Sequence, residues 1–209
     1  MTINKATYLI IKRLFDIICA LIGILFLIPI ALVVYLSYII SGDFHCIIYS
    51  HNRVGKNGKI FKLYKFRSMV YNADEVLKEL LKDPKYKEEW HQNHKLDNDP
   101  RITKMGNILR KTSLDEMPQF INVLKGDMSL IGPRPLIIGE LDEHNGDHKI
   151  YESMRPGITG WWACNGRSAT TYKKRLELEY YYINNCSILL DIKCIFKTIG
   201  AVMQKSGAK

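Results

Sequence analysis

The chain has 209 residues, of which 47% are hydrophobic and 24% charged, which suits one ordinary globular domain with an appendage and excludes disorder or low complexity as its main state. Thirty Lys and Arg against 21 Asp and Glu leave a net charge of +9, which favours phosphate-rich partners or an anionic membrane surface. The five cysteines (Cys19, Cys46, Cys164, Cys186 and Cys194) form no CxxC pair, and their odd number argues against a disulfide framework or a zinc site. A reducing cytosol is the reading that follows.

The 24 residues from Ile17 to Ile40 carry no charge. As a helix they extend about 36 Å, against a hydrocarbon core of roughly 30 Å. The run exceeds the usual signal-peptide length and no small-x-small cleavage site follows it, so a membrane segment is expected rather than a leader. Pro29 removes a backbone donor in the middle, dividing the run into Ile17 to Ile28 and Ile30 to Ile40. Lys5, Lys12 and Arg13 precede the run, and Arg53, Lys56, Lys59, Lys62, Lys65 and Arg67 follow it with no acidic residue among them. Positive charge prefers the cytoplasmic face, so a hairpin entering and leaving on that face satisfies both clusters, whereas a single crossing satisfies one. Membrane-spanning helices tolerate a central Pro, and sequence physics alone leaves both topologies open.

Beyond it, Phe44 to Tyr49 and Ile60 to Phe66 read as two strands of a small basic hairpin, with Asn57-Gly58 as the turn. Ala73 to His91 has helical spacing interrupted by Pro84. Ile102 to Arg110 and Leu114 to Leu124 read as helices, the second ended by Gly126. The chain turns irregular from Ser129 to Pro135 and again at Arg155-Pro-Gly157. Helices are expected over Tyr172 to Ile183 and Ile188 to Met203. In the latter, Ile188, Ile192, Ile195, Ile199 and Val202 share a face with Lys193, Lys197 and Lys205 elsewhere, a pattern for lying on a membrane or for packing on the core. The fold class expected is α+β, mostly helical. Residues 1–43 form the membrane-associated segment and residues 44–209 a compact domain with amphipathic interfacial helices.

The segment from Asp99 to Pro135 concentrates Arg, carboxylate and Pro-locked backbone. Asp115 and Glu116 are adjacent, so on a helix they point about 100° apart and cannot act as facing twins. One can attack an electrophile while the other helps to hold a metal. A capping box over Ser113-Leu-Asp-Glu116 explains the same residues structurally. Arg134 lies between Pro133 and Pro135, which fix φ on both sides. With Lys65, Arg67, Arg101, Arg110, Arg155 and Arg167 it makes a cation set suited to a diphosphate. Trp161-Trp162 suits either stacking on a sugar or core packing.

These residues resemble the bacterial sugar transferases, the small monotopic phosphoglycosyl transferases that start glycoconjugate assembly on a polyprenyl phosphate. The likeness runs through Lys12-Arg-Leu-Phe-Asp16, Arg53-Val-Gly55, Lys65-Phe-Arg-Ser-Met69, Thr112-Ser-Leu-Asp-Glu-Met-Pro118, Gly132-Pro-Arg-Pro135 and Arg155-Pro-Gly-Ile-Thr-Gly160. It implies transfer of a sugar-1-phosphate from a UDP-sugar to polyprenyl phosphate, with release of UMP. Asp115 is the implied nucleophile, and Glu116 assists Mg²⁺ binding or acceptor activation. Arg134 is the implied contact to phosphate or uridine. The resemblance also implies a re-entrant helix broken at a Ser-Pro pair, of which this sequence keeps Pro29 and has Ile28 before it. The cytoplasmic face of the inner membrane is the implied location. Nucleic acid is not an expected partner, and a homo-oligomer is left open.

Overall fold

The computed structural model describes residues 4–93, 96–166 and 170–203. Arg167, Lys205 and the side chain of Val202 lie outside what is described. The first element, α1, runs from Lys5–Ile40 as one helix of 36 residues. Asn4 caps it by accepting from the Ala6 N–H, and Ser41 closes it. Pro29 sits inside without ending it, which corrects the expected helix-break-helix. The ring removes one bond, to the Leu25 carbonyl. Contacts on either side, from Leu27 and from Val34 and Tyr38, hold both halves against the same body of protein.

Both faces of α1 are largely apolar, unlike those of a helix on the surface of a soluble domain. Tyr8, Lys12, Asp16, Ala20, Gly23, Leu27, Val34 and Tyr38 form the buried stripe, including two charges. Ile10, Leu14, Ile18, Leu21, Leu25, Ile28 and Leu32 form an exposed stripe at spacings of three and four. Inside, Asp191 accepts from Lys12 Nζ at 2.9 Å and from Tyr8 Oη at 3.0 Å. Asp16 accepts from Ser129 Oγ and the Leu130 N–H. Arg13 donates to the carbonyls of Val123 and Leu124. At the far end the Tyr38 hydroxyl donates to the Arg67 carbonyl at 2.6 Å.

Strands β1, Ile48–Val54, and β2, Ile60–Phe66, form an antiparallel hairpin. The turn falls at Asn57 and Gly58, both at positive φ, as the Asn-Gly pair requires. Pairing starts from Val54 with Ile60, so the strand opposite Ile60–Phe66 must be residues 48–54. The expected Phe44–Tyr49 strand is therefore displaced along the chain.

Helices α2, Ala73–Leu80, and α3, Pro84–Asn93, divide at Pro84, which takes the first helical position. Helix α4, Lys104–Thr112, is capped by the Thr103 hydroxyl. It presses on the segment after β2 so closely that a Cβ on Gly106 would lie 1.8 Å from the Ser68 carbonyl oxygen. Helix α5 covers Gln119–Lys125 and ends at Gly126 in the left-handed region. Strand β3, Ser129–Ile131, pairs in parallel with β4, Gly157–Thr159, neither of which the sequence patterns predict. Short helices α6, Glu140–Glu143, and α7, His148–Tyr151, lie between them, and α8, Tyr172–Asn185, and α9, Ile188–Met203, close the chain.

Helix α5 and the hairpin share a core with α1 through Ala20, Phe61, Leu63, Val123 and Met128. Ile131, Tyr182, Ile183, Leu190 and Cys194 join β3, α8 and α9. On α9 the expected apolar face turns mostly outward, with Ile192 and Ile199 exposed and Ile195 packed partly against the core, and a different face meets the domain. Leu190, Asp191 and Cys194 turn inward, while Leu189, Ile192, Phe196 and Ile199 stay exposed.

Candidate functional site

The site is built on the joint between α4 and α5. Ser113 ends α4 at φ +57°, in the left-handed region that a residue with a Cβ rarely adopts. A single 3₁₀ turn over Leu114–Glu116 follows, and Pro118, which has no N–H to contribute, leads into α5. The expected capping box does not form. The Ser113 side chain makes no cap hydrogen bond, and the helix starts five residues later than predicted from Leu114, at Gln119. Asp115 and Glu116 therefore lie on a tight turn, free of a capping duty.

Lys65 reaches them from β2. Its Nζ donates to Glu116 Oε1 at 2.7 Å and lies 3.9 Å from Asp115 Oδ2. Asp115 is the more enclosed of the pair, with 15% of its side chain exposed against 38% for Glu116. Burial pushes the Asp115 carboxyl above its ordinary range, Lys65 and Arg110 pull it down, and Glu116 pushes it up. Arg110 is held near by donating from Nε to the Ser68 hydroxyl at 2.9 Å. Two carboxylates and two cations are thus brought together, as the sequence predicts.

A second cluster lies toward the turn end of the hairpin. Arg53 pairs with Phe61 in register and Lys65 with Tyr49, so the two cations are four residues, about 13 Å, apart along the strands. Around Arg53 stand Arg134, Arg175 and Glu140. Arg134 is exposed, with its guanidinium 5.6 Å from the centre of the Trp162 ring. Pro133 is fully buried and the Pro135 carbonyl accepts from Arg53 Nη1 at 3.4 Å, which fixes the loop. Arg175 forms an ion pair with Glu140 at 3.0 Å and lies against both Trp162 and Tyr172. Trp161 turns the other way, into the core beside Tyr181.

The remaining predicted cations have structural partners. The Arg67 guanidinium is buried over the Tyr38 ring, bonded to Asp43 and to the carbonyls of Cys46 and Met69. Arg101 is clamped to Asp99 through Nε and Nη2 and covered by Trp90. Arg155 donates from Nε to the Gly126 carbonyl, at the end of α5 opposite Asp115, in a cleft with Lys5, Lys56 and Arg13. Arg53, Arg175, Glu140 and Glu179 escape sequence reasoning. The signal available was the spacing of Tyr172, Arg175, Glu179 and Tyr182 by three, four and three residues along one helix face.

Residues 7–205 match the bacterial sugar transferase family. The chain belongs to that family. Among its relatives, the undecaprenyl-phosphate galactose phosphotransferase of Salmonella typhimurium is 47% identical over 95% of this chain. That alignment covers 41% of the Salmonella protein, so this chain spans less than half of its length. An exopolysaccharide production protein of Sinorhizobium fredii is 42% identical over 94% of this chain and 87% of its own. A UDP-N-acetylgalactosamine-undecaprenyl-phosphate N-acetylgalactosaminephosphotransferase of Aeromonas hydrophila is 36% identical over 97% of this chain and 46% of its own.

Proposed function

We propose that the protein transfers a sugar-1-phosphate from a UDP-sugar to polyprenyl phosphate through a covalent intermediate on Asp115. The observation that carries this reading is the half-buried Asp115 on its strained turn, with Lys65 3.9 Å away and Glu116 beside it. An Asp115 oxygen attacks the sugar-bearing phosphorus, the bond from that phosphorus to the bridging oxygen breaks, and UMP leaves with the electron pair. A phosphate oxygen of the polyprenyl acceptor then attacks the same phosphorus and restores the Asp115 carboxylate. Phosphoryl transfer rests on positioning and charge neutralisation, which Lys65 and Arg110 provide at the reacting end. Their charge also favours the ionised form of Asp115 against the burial that pushes its carboxyl up. Arg53, some 13 Å along the hairpin from Lys65, and Arg134 near it receive the nucleotide end of an extended donor.

Asp115 and Glu116 are the kind of donor pair that holds Mg²⁺ in company with substrate phosphates. Bound there, the ion supplies further neutralisation of the diphosphate charge. These two carboxylates are the residues that would hold it.

The setting is the cytoplasmic face of the inner membrane. Tyr8 and Lys12 near one end of α1 and Tyr38 near the other contact the same body of protein. A helix crossing the bilayer would carry one end about 30 Å away from it. This supports a monotopic arrangement, with both ends on one side and the exposed apolar stripes of α1 and α9 in lipid. The site then lies at the depth of the acceptor phosphate. An initiating step in capsule, exopolysaccharide or related polysaccharide assembly follows from that acceptor.

The test is nucleotide analysis after incubation with a panel of UDP-sugars and undecaprenyl phosphate, together with intact-mass detection of the phosphosugar adduct. UMP release and an adduct absent from Asp115→Asn support the reading. UDP release identifies an ordinary glycosyl transfer and refutes it.

A further inference from the structure

Arg134 is an exposed side chain on an unusually constrained backbone. Pro133 and Pro135 flank it. Its N–H donates to Glu179 Oε1 at 3.0 Å, and its carbonyl accepts from the Tyr151 hydroxyl at 3.0 Å. Its guanidinium rests against Trp162. Water satisfies the backbone of an ordinary exposed loop. Here a carboxylate and a phenol from two other helices, α8 and α7, do so from beneath.

Glu179 is 1% exposed and its second oxygen, Oε2, has no hydrogen-bond partner. Above it, the Nε and Nη2 of Arg175 and the Nε of Arg53 are also buried and unpartnered. Glu179 accepts the Arg134 N–H from inside the fold, with the Arg134 and Arg175 charges acting on its carboxyl, and so fixes the loop that presents Arg134 outward.

We propose that Glu179, together with Tyr151, is a positioning residue for the transfer reaction, holding the Arg134 loop in the geometry that receives the nucleotide end of the donor. This rests on the reading of Arg134 given above. Neither residue touches the reacting atoms. Their effect is confined to the half-reaction that uses the donor, since polyprenyl phosphate meets the enzyme after UMP has gone. In a two-step exchange, kcat/KM for each substrate reports its own half-reaction.

The experiment uses the full chain in nanodiscs with undecaprenyl phosphate and whichever of UDP-galactose and UDP-N-acetylgalactosamine gives the faster UMP release with the unaltered protein. Glu179→Ala and Tyr151→Phe are each expected to lower kcat/KM for the donor about tenfold, chiefly through KM, as loss of one hydrogen bond on a charged or exposed group does. kcat/KM for undecaprenyl phosphate stays unchanged. Glu179→Gln, which keeps the acceptor oxygen, restores most of the donor affinity. Tyr151→Phe removes a single hydroxyl and keeps the test available if Glu179→Ala fails to fold. An equal fall for donor and acceptor that tracks a loss of folded protein, or an unchanged donor KM in Tyr151→Phe, overturns the proposal. Absence of UMP release from the unaltered protein overturns the functional reading instead.

Discussion

Replacing Glu179 by Gln removes a carboxyl that burial pushes up from 4.5 to about 7, against the Arg134 N–H and the charges of Arg175 and Arg134, which pull it down, while Cys164 pushes it up. A carboxyl that titrates higher in the fold than in the unfolded chain binds its proton more tightly when folded. The stability it contributes is fully present below pH 4.5 and is lost as pH rises through 7. At 1.36 kcal/mol per unit, the loss is about 3 kcal/mol across that window. Gln cannot ionise and escapes it. The unpartnered position of Oε2 then holds an amide donor, at a cost that does not vary with pH. The expected result is that the stability of Glu179→Gln relative to the unaltered protein rises by about 3 kcal/mol between pH 4.5 and pH 8. Unfolding in detergent micelles, followed by circular dichroism at several pH values, measures it. A difference that is flat across the range means that Glu179 titrates as an ordinary carboxylate, and one that falls with pH means that its carboxyl is held below the usual range; either refutes the reasoning. A positive result means that ionisation of Glu179 destabilises the fold, a cost that the uncharged acceptor of Glu179→Gln avoids.

Lys65→Met removes the cation nearest Asp115 that favours its charged form, so the acid limb of the kcat/KM profile for the donor moves to higher pH while the rate falls; a limb that stays in place shows that Asp115 is not the titrating group. Asp191→Ala leaves Lys12 buried without its partner and strips an acceptor from Tyr8 and Tyr182, so unfolding is expected about 3–5 kcal/mol earlier. Replacing the pair together, Lys12→Met with Asp191→Leu, recovers much of that loss, and a double variant as unstable as Asp191→Ala contradicts a buried ion pair. Gly106→Ala places a methyl against the Ser68 carbonyl, forcing α4 outward; a loss of about 3 kcal/mol and a slower donor half-reaction follow, through displacement of Arg110, and an unchanged melting temperature contradicts the close approach.

The hairpin turn, the division at Pro84 and the two closing helices were legible because each depends on local chemistry: the positive φ of Asn57 and Gly58, the missing N–H of Pro84, and a 3.6-residue period. Arg110, Asp115 and Glu116 were legible as residue types in one short stretch, and Lys65 as a cation of the separate basic strand. Strands β3 and β4 were not, since three residues each carry no period and their parallel pairing joins segments 28 positions apart. The capping box failed because Pro118, two residues after Glu116, resets where the helix can begin. The break at Pro29 failed because packing along the whole of α1 outweighs one missing hydrogen bond.

The cluster beneath Arg134 was missed for a reason that also applies to α1. Charged residues spaced by four along a helix normally mark its solvated face, and Lys12 with Asp16, like Arg175 with Glu179, carries that spacing. In this fold both pairs point inward and each charge finds a partner there. The outward stripe of α1 is apolar instead. With its outward stripe apolar, α1 turns its polar residues inward, where they hold it to the domain. The +9 charge divides on the same principle. Lys12, Arg13, Arg67, Arg101, Arg155 and Arg175 are bound to internal carboxylates and carbonyls. Under the function proposed above, Lys65 and Arg110 at the carboxylate pair and Arg134 on its fixed loop are the cations that meet an incoming diphosphate. Net charge favours phosphate-rich partners or an anionic membrane surface alike; the pattern of internal pairing identifies the cations that hold the protein together and so narrows those that the proposed function assigns to phosphate.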